Sequence, residues 1–305
     1  MKTHLLRRFF LQEDLNFLFT NRVPRQLLTR FMGWFSKIRS PMICKLSIAV
    51  WRWFTDLDLS DAKKQRFDSL HDCFTRELVD GARQIDARID VLSSPCDAIV
   101  GACGRIDGDS LIQAKGLSYR LHELCGPTQD MRAFHRGSYV TLRLTSAMYH
   151  RFHAPHDGRV EHVTYISGDT WNVNPVAVAR IERLFCRNER AVLRLRLNRG
   201  GYPIALVPVA AILVASIRLH FLNVLLHLRF KGPHEIPCSA NFYKGQELGW
   251  FEHGSTIIVV APEGFTLAEG VEQGTRLSMG QALMVLPAPQ AVEADACSTL
   301  GKDLP

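Results

Sequence analysis

The chain has 305 residues, 47% of them hydrophobic and 22% charged, which is ordinary globular usage and enough for one large domain or a domain with an extension. Collagen-like, wholly disordered and polytopic membrane architectures are excluded by that balance. The net charge of +7 is unevenly placed: residues 1–54 hold ten basic and two acidic residues, a balance of +8, so the remainder sums to −1.

The same 54 residues hold ten of the 28 aromatic side chains. Apolar positions recur there with helical period, first at Leu27, Phe31, Trp34/Phe35 and Ile38, then at Ile43, Leu46, Val50 and Trp53/Phe54, with basic residues between them. Pro24 and Pro41 stand where helices start. The pattern predicts two amphipathic helices suited to an anionic bilayer surface, each nearby basic residue adding roughly 1 kcal/mol of attraction. The alternative is that these faces pack on the rest of the protein. No nucleic-acid motif accompanies the basic residues, so a membrane surface, and not nucleic acid, is the expected anionic partner. Arg7, Arg8, Gln12, Glu13 and Asp14 interrupt any secretory apolar stretch, which places the protein on the cytosolic side.

A polar stretch at 56–61 is followed by 67–83, whose first part has helical spacing, and a boundary falls near residue 80. It separates an N-terminal helical, membrane-associating region (1–80) from a β-rich domain (81–305). Runs at 98–100, 139–144, 159–166, 191–197, 255–260 and 277–286 read as strands, and Asn198-Arg199-Gly200-Gly201 as a hairpin turn. The uncharged run at 204–217 is 14 residues long with Pro208 inside, too short to span a bilayer, and reads as buried strands. The expected fold is mainly β (α+β): a sandwich- or barrel-like core preceded by amphipathic helices, with a loosely ordered tail from Pro287. Eight cysteines without a C-x-x-C pair read as reduced thiols, not as a disulfide or zinc framework.

Three features of the β region carry potential chemistry. Asp97, in Ser94-Pro95-Cys96-Asp97, is by itself an ordinary turn former. His150, His153 and His156 recur at three-residue intervals, which invites a metal reading. Pro155 and Gly158 argue against a helix there, and no H-E-x-x-H glutamate is present, so no metal is expected. Acid–base work and ordinary satisfied histidines both remain open. Gly254-Ser255-Thr256 decides little alone, because Ser255 could open a strand for no chemical reason.

Taken in order, these motifs resemble the phosphatidylserine decarboxylase family, whose members cleave themselves at a Gly-Ser-Thr sequence to make a pyruvoyl group. The resemblance runs through Phe74-Thr75-Arg76-Glu77-Leu78, Ser94-Pro95-Cys96-Asp97, Gln113-Ala114-Lys115-Gly116 and Tyr149-His150-Arg151-Phe152-His153-Ala154-Pro155. It continues through Gly168-Asp169, Val173-Asn174-Pro175, Asn188-Glu189-Arg190 and Lys244-Gly245-Gln246-Glu247-Leu248-Gly249. It implies cleavage between Gly254 and Ser255, giving chains 1–254 and 255–305. Ser255 would attack the Gly254 carbonyl, with His153 as base and Asp97 holding its tautomer. The pyruvoyl cofactor left at 255 would form a Schiff base with phosphatidylserine, and His150 would return a proton to the α-carbon. The resemblance further implies a homodimer, peripheral at the cytoplasmic face of the cell membrane.

Some positions depart from the family pattern: His253 stands for Leu, Ala98 for the Gly after the Asp, Ser146-Ala147-Met148 for a segment with Pro and Asp, and Ala210 and Ala215 for Gly. Residues 218–243 match no family stretch closely. Two alternatives follow from these departures: a non-processing lipid-binding relative, and a hydrolase that uses Ser255 without self-cleavage.

Overall fold

The computed structural model describes residues 24–114, 116–126, 131–213, 216–227, 230–252 and 255–288. The expectations for 1–23, His253, Gly254, Ala215 and the tail from residue 289 lie outside the described residues.

Two helices lead the chain, α1 (Arg25–Phe35) and α2 (Pro41–Phe54), with Pro24 at the N-cap of α1 and Pro41 at the first position of α2. Ser40 caps α2 by accepting from the Ile43 N–H. Their apolar faces are divided between packing and exposure. One side of α1 docks on the β core: Arg25 forms a two-pronged pair with Asp169 and lies 3.6 Å over the Trp171 ring, and Thr29 Oγ1 accepts from the Leu213 N–H. The other side leaves Leu27, Phe31, Trp34, Leu46, Trp53 and Phe54 exposed. The helix expected in 67–83 is confined to α3 (Leu70–Phe74).

The core strands are β2 (Ala98–Arg105), β5 (Ser138–Leu144), β7 (Gly158–Ile166), β8 (Arg190–Leu197), β9 (Pro203–Ala210), β12 (Glu235–Phe242), β14 (Ser255–Ala261) and β16 (Arg276–Leu277), numbered with β1 (Val91–Ser93), β3 (Ser110–Ala114) and β4 (Leu117–Arg120) counted in chain order. They form one antiparallel sheet of eight in the order β12-β7-β8-β9-β14-β5-β2-β16. The hairpin turn expected at 198–201 joins β8 to β9, and its Gly200 and Gly201 take positive φ, as that turn requires.

Over one face lies a second sheet built from β6 (Arg151–His153), β10 (Ser216–Leu219), β11 (Val224–His227) and β13 (Glu247–Phe251), in the order β11-β10-β13-β6. Between the layers Leu142, Leu144, Ile257 and Val259 meet Phe152, Ile217, Leu226 and Phe251. A three-stranded sheet of β1, β15 (Thr266–Leu267) and β17 (Ala282–Val285) closes the same core. The opposite face carries Ile258, Val260, Val207 and Tyr139 and is covered by the β3–β4 hairpin, α4 (Leu121–Cys125), α5 (Pro175–Val178) and α6 (Leu184–Arg187). The architecture is therefore mainly β and sandwich-like. No barrel closes among the described residues: the main sheet ends at β12 on one side and β16 on the other. No described helix is long and apolar enough to cross a membrane.

Candidate active site

Ser255 is the first residue of β14, the strand between β9 and β5, and it sits in register with Ala210 on one side and Leu144 on the other. Facing residues of antiparallel strands share a sheet face, so the Ser255 side chain points toward the inter-sheet core. Ser255 is 0% exposed, and its Oγ has no hydrogen-bond partner among the described residues. An unsatisfied buried hydroxyl costs roughly 1–3 kcal/mol, a condition Ser255 shares with its neighbour Thr256. Gly254 lies outside the described residues.

The two histidines come from the segment that enters β6. His150 is completely buried, with Nδ1 2.8 Å from the Met148 carbonyl. A carbonyl only accepts, so Nδ1 carries the proton and Nε2 keeps the lone pair. Its ring lies 3.9 Å from Phe74, which in turn stacks on Trp51 of α2. The backbone carbonyl of His150 accepts from the Phe251 N–H, which fastens the histidine beside the β13 end that leads to Ser255.

His153 is also buried. Its Nδ1 donates to the Gly245 carbonyl at 2.9 Å, and Nε2 accepts from the Tyr149 hydroxyl at 3.0 Å. Burial pushes the imidazole pKa below its ordinary 6.5, against the opposing pull of the Gly245 carbonyl, so the ring is neutral at pH 7 and available as a base. Gly245 has a φ of +80°, and a Cβ there would collide with Ile85, so the carbonyl that orients His153 depends on glycine.

Asp97 is held differently from the sequence expectation. Its carboxylate takes the Arg83 guanidinium fork, with Nε at 2.9 Å from Oδ1 and Nη2 at 2.5 Å from Oδ2, and accepts from the Met279 N–H at 2.8 Å. Arg83 also reaches Asp61. A polar cavity of about 350 Å³ brings Asp97, Arg83 and Tyr149 to its wall. The His153 tautomer is thus set by Gly245 and Tyr149, while Asp97 is paired with Arg83. Ala98, where the family has Gly, opens β2 in extended conformation outside the positive-φ positions, so its methyl imposes no backbone strain.

Tyr149, Gly245, Arg83 and Phe74 are the residues that reading the sequence for chemistry did not single out. Tyr149 and Gly245 lay inside quoted motifs, but Gly245 acts through a backbone carbonyl, which has no side-chain signature. Arg83 stood at the end of the segment taken as a boundary and carried no signal.

A second cavity, of about 720 Å³, opens at the strand ends beside Ser255. Its walls include Leu144, which is in register with Ser255, Ala211, which follows the other register partner Ala210, Phe74 from the His150 side, and Phe35, Val50 and Trp51 from α1 and α2. The arrangement offers an unpaired serine hydroxyl, a neutral base, a second buried imidazole and an apolar chamber that runs out toward the exposed helices.

A sequence model described as phosphatidylserine decarboxylase matches residues 70–285. The phosphatidylserine decarboxylase proenzyme of Brevibacillus brevis is 34% identical over 269 residues, covering 86% of this chain and 95% of the relative. That of Aliivibrio salmonicida is 34% identical over 275 residues (84% and 93%), and that of Shewanella putrefaciens 32% identical over 283 residues (88% and 96%).

Proposed function

The chain belongs to the phosphatidylserine decarboxylase family, and from that premise we propose that it matures by cutting itself at Ser255. The reaction it performs is loss of carbon dioxide from phosphatidylserine to give phosphatidylethanolamine. The observation that supports maturation at this position is the buried Ser255 Oγ, which lacks a partner among the described residues and opens a strand of the core.

In the proposed sequence, His153 Nε2 takes the Ser255 hydroxyl proton as Oγ attacks the Gly254 carbonyl carbon. The peptide C–N bond breaks, the freed nitrogen is protonated, and an ester joins Gly254 to Oγ. Removal of the Ser255 α-proton expels Gly254 as a carboxylate and leaves a dehydroalanine at the new terminus. Its imine tautomer is hydrolysed by water to a ketone, with release of ammonia. Asp97 and Arg83 form a charged pair beside Tyr149, whose hydroxyl the imidazole releases when Nε2 turns to the serine. The resulting pyruvoyl group supplies an electron sink for the pair left behind when carbon dioxide departs. Leu144 and Ala210 flank position 255 in the sheet, and His150 Nε2, which keeps its lone pair in the intact chain, would take up a proton and then deliver it to the substrate α-carbon.

Intact mass and terminal sequencing test this reading. Chains 1–254 and 255–305, the second blocked at its amino end, are the expected products, with Ser255→Ala remaining full length. Clean, fast cleavage of Ser255→Ala would sink the proposal.

We also assign the membrane contact to α1 and α2, with the protein peripheral at the cytoplasmic face. Trp34 is 66% exposed and Trp53 65%, on helices whose other sides reach the chamber beside Ser255. A Trp34→Glu, Trp53→Glu double variant should bind phosphatidylserine-containing vesicles ~100-fold more weakly, since about 1.5 kcal/mol of apolar burial is lost at each site. Self-cleavage in solution should be unchanged, and equal vesicle binding in a sedimentation assay would remove the helices from the interface.

A further inference from the structure

Among the residues that line the 720 Å³ chamber, Arg143 alone is charged. It lies on β5 opposite Thr256, one residue from the Leu144–Ser255 pair, and is partly buried. Its guanidinium makes no hydrogen bond or ion pair among the described residues, whereas Arg190 and Arg151 are well supplied. Arg190 donates to four carbonyls, and Arg151 to Glu247 and the Thr75 carbonyl. Burial, with no carboxylate to offset it, pushes the Arg143 pKa below its ordinary value. A desolvated cation without a counter-ion is costly in the free protein, and that cost is relieved when an anion arrives.

We propose that Arg143 binds the phosphodiester of the phosphatidylserine headgroup. This rests on the decarboxylase reading above. The headgroup offers two anions, and the reaction distinguishes them. The carboxylate must surrender its charge as carbon dioxide leaves, so a guanidinium clamped on it would stabilise the ground state more than the transition state and slow the reaction. The phosphate keeps its charge throughout, and binding it costs nothing at the reacting carbon. Thr145, Ser146, Asn172 and Asn174 line the same chamber and add polar groups near the guanidinium, while Phe35, Leu46, Val50 and Trp51 supply an apolar wall for an acyl chain. Arg143 and Thr256 face the side of the sheet opposite Leu144 and Ser255, but the chamber has both Arg143 and Leu144 in its wall, so phosphate capture at Arg143 would leave the amine and carboxylate to reach position 255 around the strand end.

Binding is measured on the uncut Ser255→Ala chain, by calorimetry with short-chain dihexanoyl phosphatidylserine and dihexanoyl phosphatidylethanolamine. Adding Arg143→Met should weaken both ligands by ~10- to 100-fold, the loss of one charge-assisted contact. Arg143→Lys should recover part of it, as a point charge without the planar fork. Unchanged affinity for both overturns the proposal. A loss confined to phosphatidylserine, the ligand that has the carboxylate, also overturns it. In the self-cleaving background Arg143→Met should mature normally and raise KM with little change in kcat; a fall in kcat at constant KM would count against a phosphate contact. If the wild-type chain proved unable to mature, the reading of Ser255 would fail, while the calorimetric comparison on the uncut chain would still decide the role of Arg143.

Discussion

His153→Ala is expected to leave the chain uncut, whereas His150→Ala should be cut normally and then fail to turn over phosphatidylserine. The two imidazoles lie three residues apart and both are buried, so composition does not separate them; their partners do. His153 has its Nδ1 proton committed to Gly245 and its Nε2 lone pair covered only by the Tyr149 hydroxyl, which can move away without leaving a charge behind. His150 is fixed by Met148 and packed on Phe74, a residue of the substrate chamber. Loss of a general base lowers a rate by about 10²- to 10⁴-fold, so overnight incubation of His153→Ala should still show mostly full-length protein on a denaturing gel. The pH dependence adds a second readout. Because burial holds the His153 pKa below 6.5, the cleavage rate should reach its half-point at a pH below 6.5. Cleavage of His153→Ala at the wild-type rate, or cleavage that halves near pH 6.5 or above, would reassign the base.

The helices and most strands were legible because their signals are local. Pro24 and Pro41 set the starts of α1 and α2, the 3.6-residue spacing of Leu27, Phe31 and Trp34 marked one apolar stripe, and β5, β7 and β8 carry strand patterns bounded by turn residues. The helical spacing in the first part of 67–83 corresponds to α3, which tertiary contacts end at Phe74: Arg151 takes the Thr75 carbonyl with two N–H groups, and Arg76 reaches the Ala147 carbonyl. Residues 218–243, which matched no family stretch closely, hold strands defined by partners distant in sequence, β10 by β13 and β12 by β7. At the site, the side-chain types were readable but their wiring was not. A histidine tautomer set by a backbone carbonyl, and an aspartate engaged by an arginine from the supposed linker, are consequences of packing and not of spacing.

Glu189→Gln is expected to make the protein more stable at pH 8 while changing little at pH 4.5. Glu189 is 0% exposed, and neither carboxyl oxygen has a hydrogen-bond partner among the described residues. The neighbouring Tyr165 hydroxyl donates elsewhere, to the His227 carbonyl, and the guanidinium of the adjoining Arg190 is taken up by the carbonyls of Glu123, Leu124, Cys186 and Asn188. Burial therefore pushes the carboxyl from 4.5 up to about 8. The folded-state pKa is raised, so between pH 4.5 and 8 the unfolded chain has released a proton that the folded chain still holds, and stability falls as pH rises through that window. At about 1.4 kcal/mol per pH unit the loss reaches ~5 kcal/mol above pH 8, a large fraction of a domain's total stability. Glutamine keeps the shape and cannot ionise, so urea unfolding of the uncut Ser255→Ala chain, with and without Glu189→Gln, should show curves that converge near pH 4.5 and separate toward pH 8. Parallel pH profiles would mean that Glu189 finds a counter-charge in solution. The position is informative because the Glu189 carbonyl accepts from the Ala210 N–H, and Ala210 is the register partner of Ser255. A carboxyl that destabilises the fold at neutral pH is thus placed two strands from Ser255, which is where a sequence selected for stability alone would have put an amide.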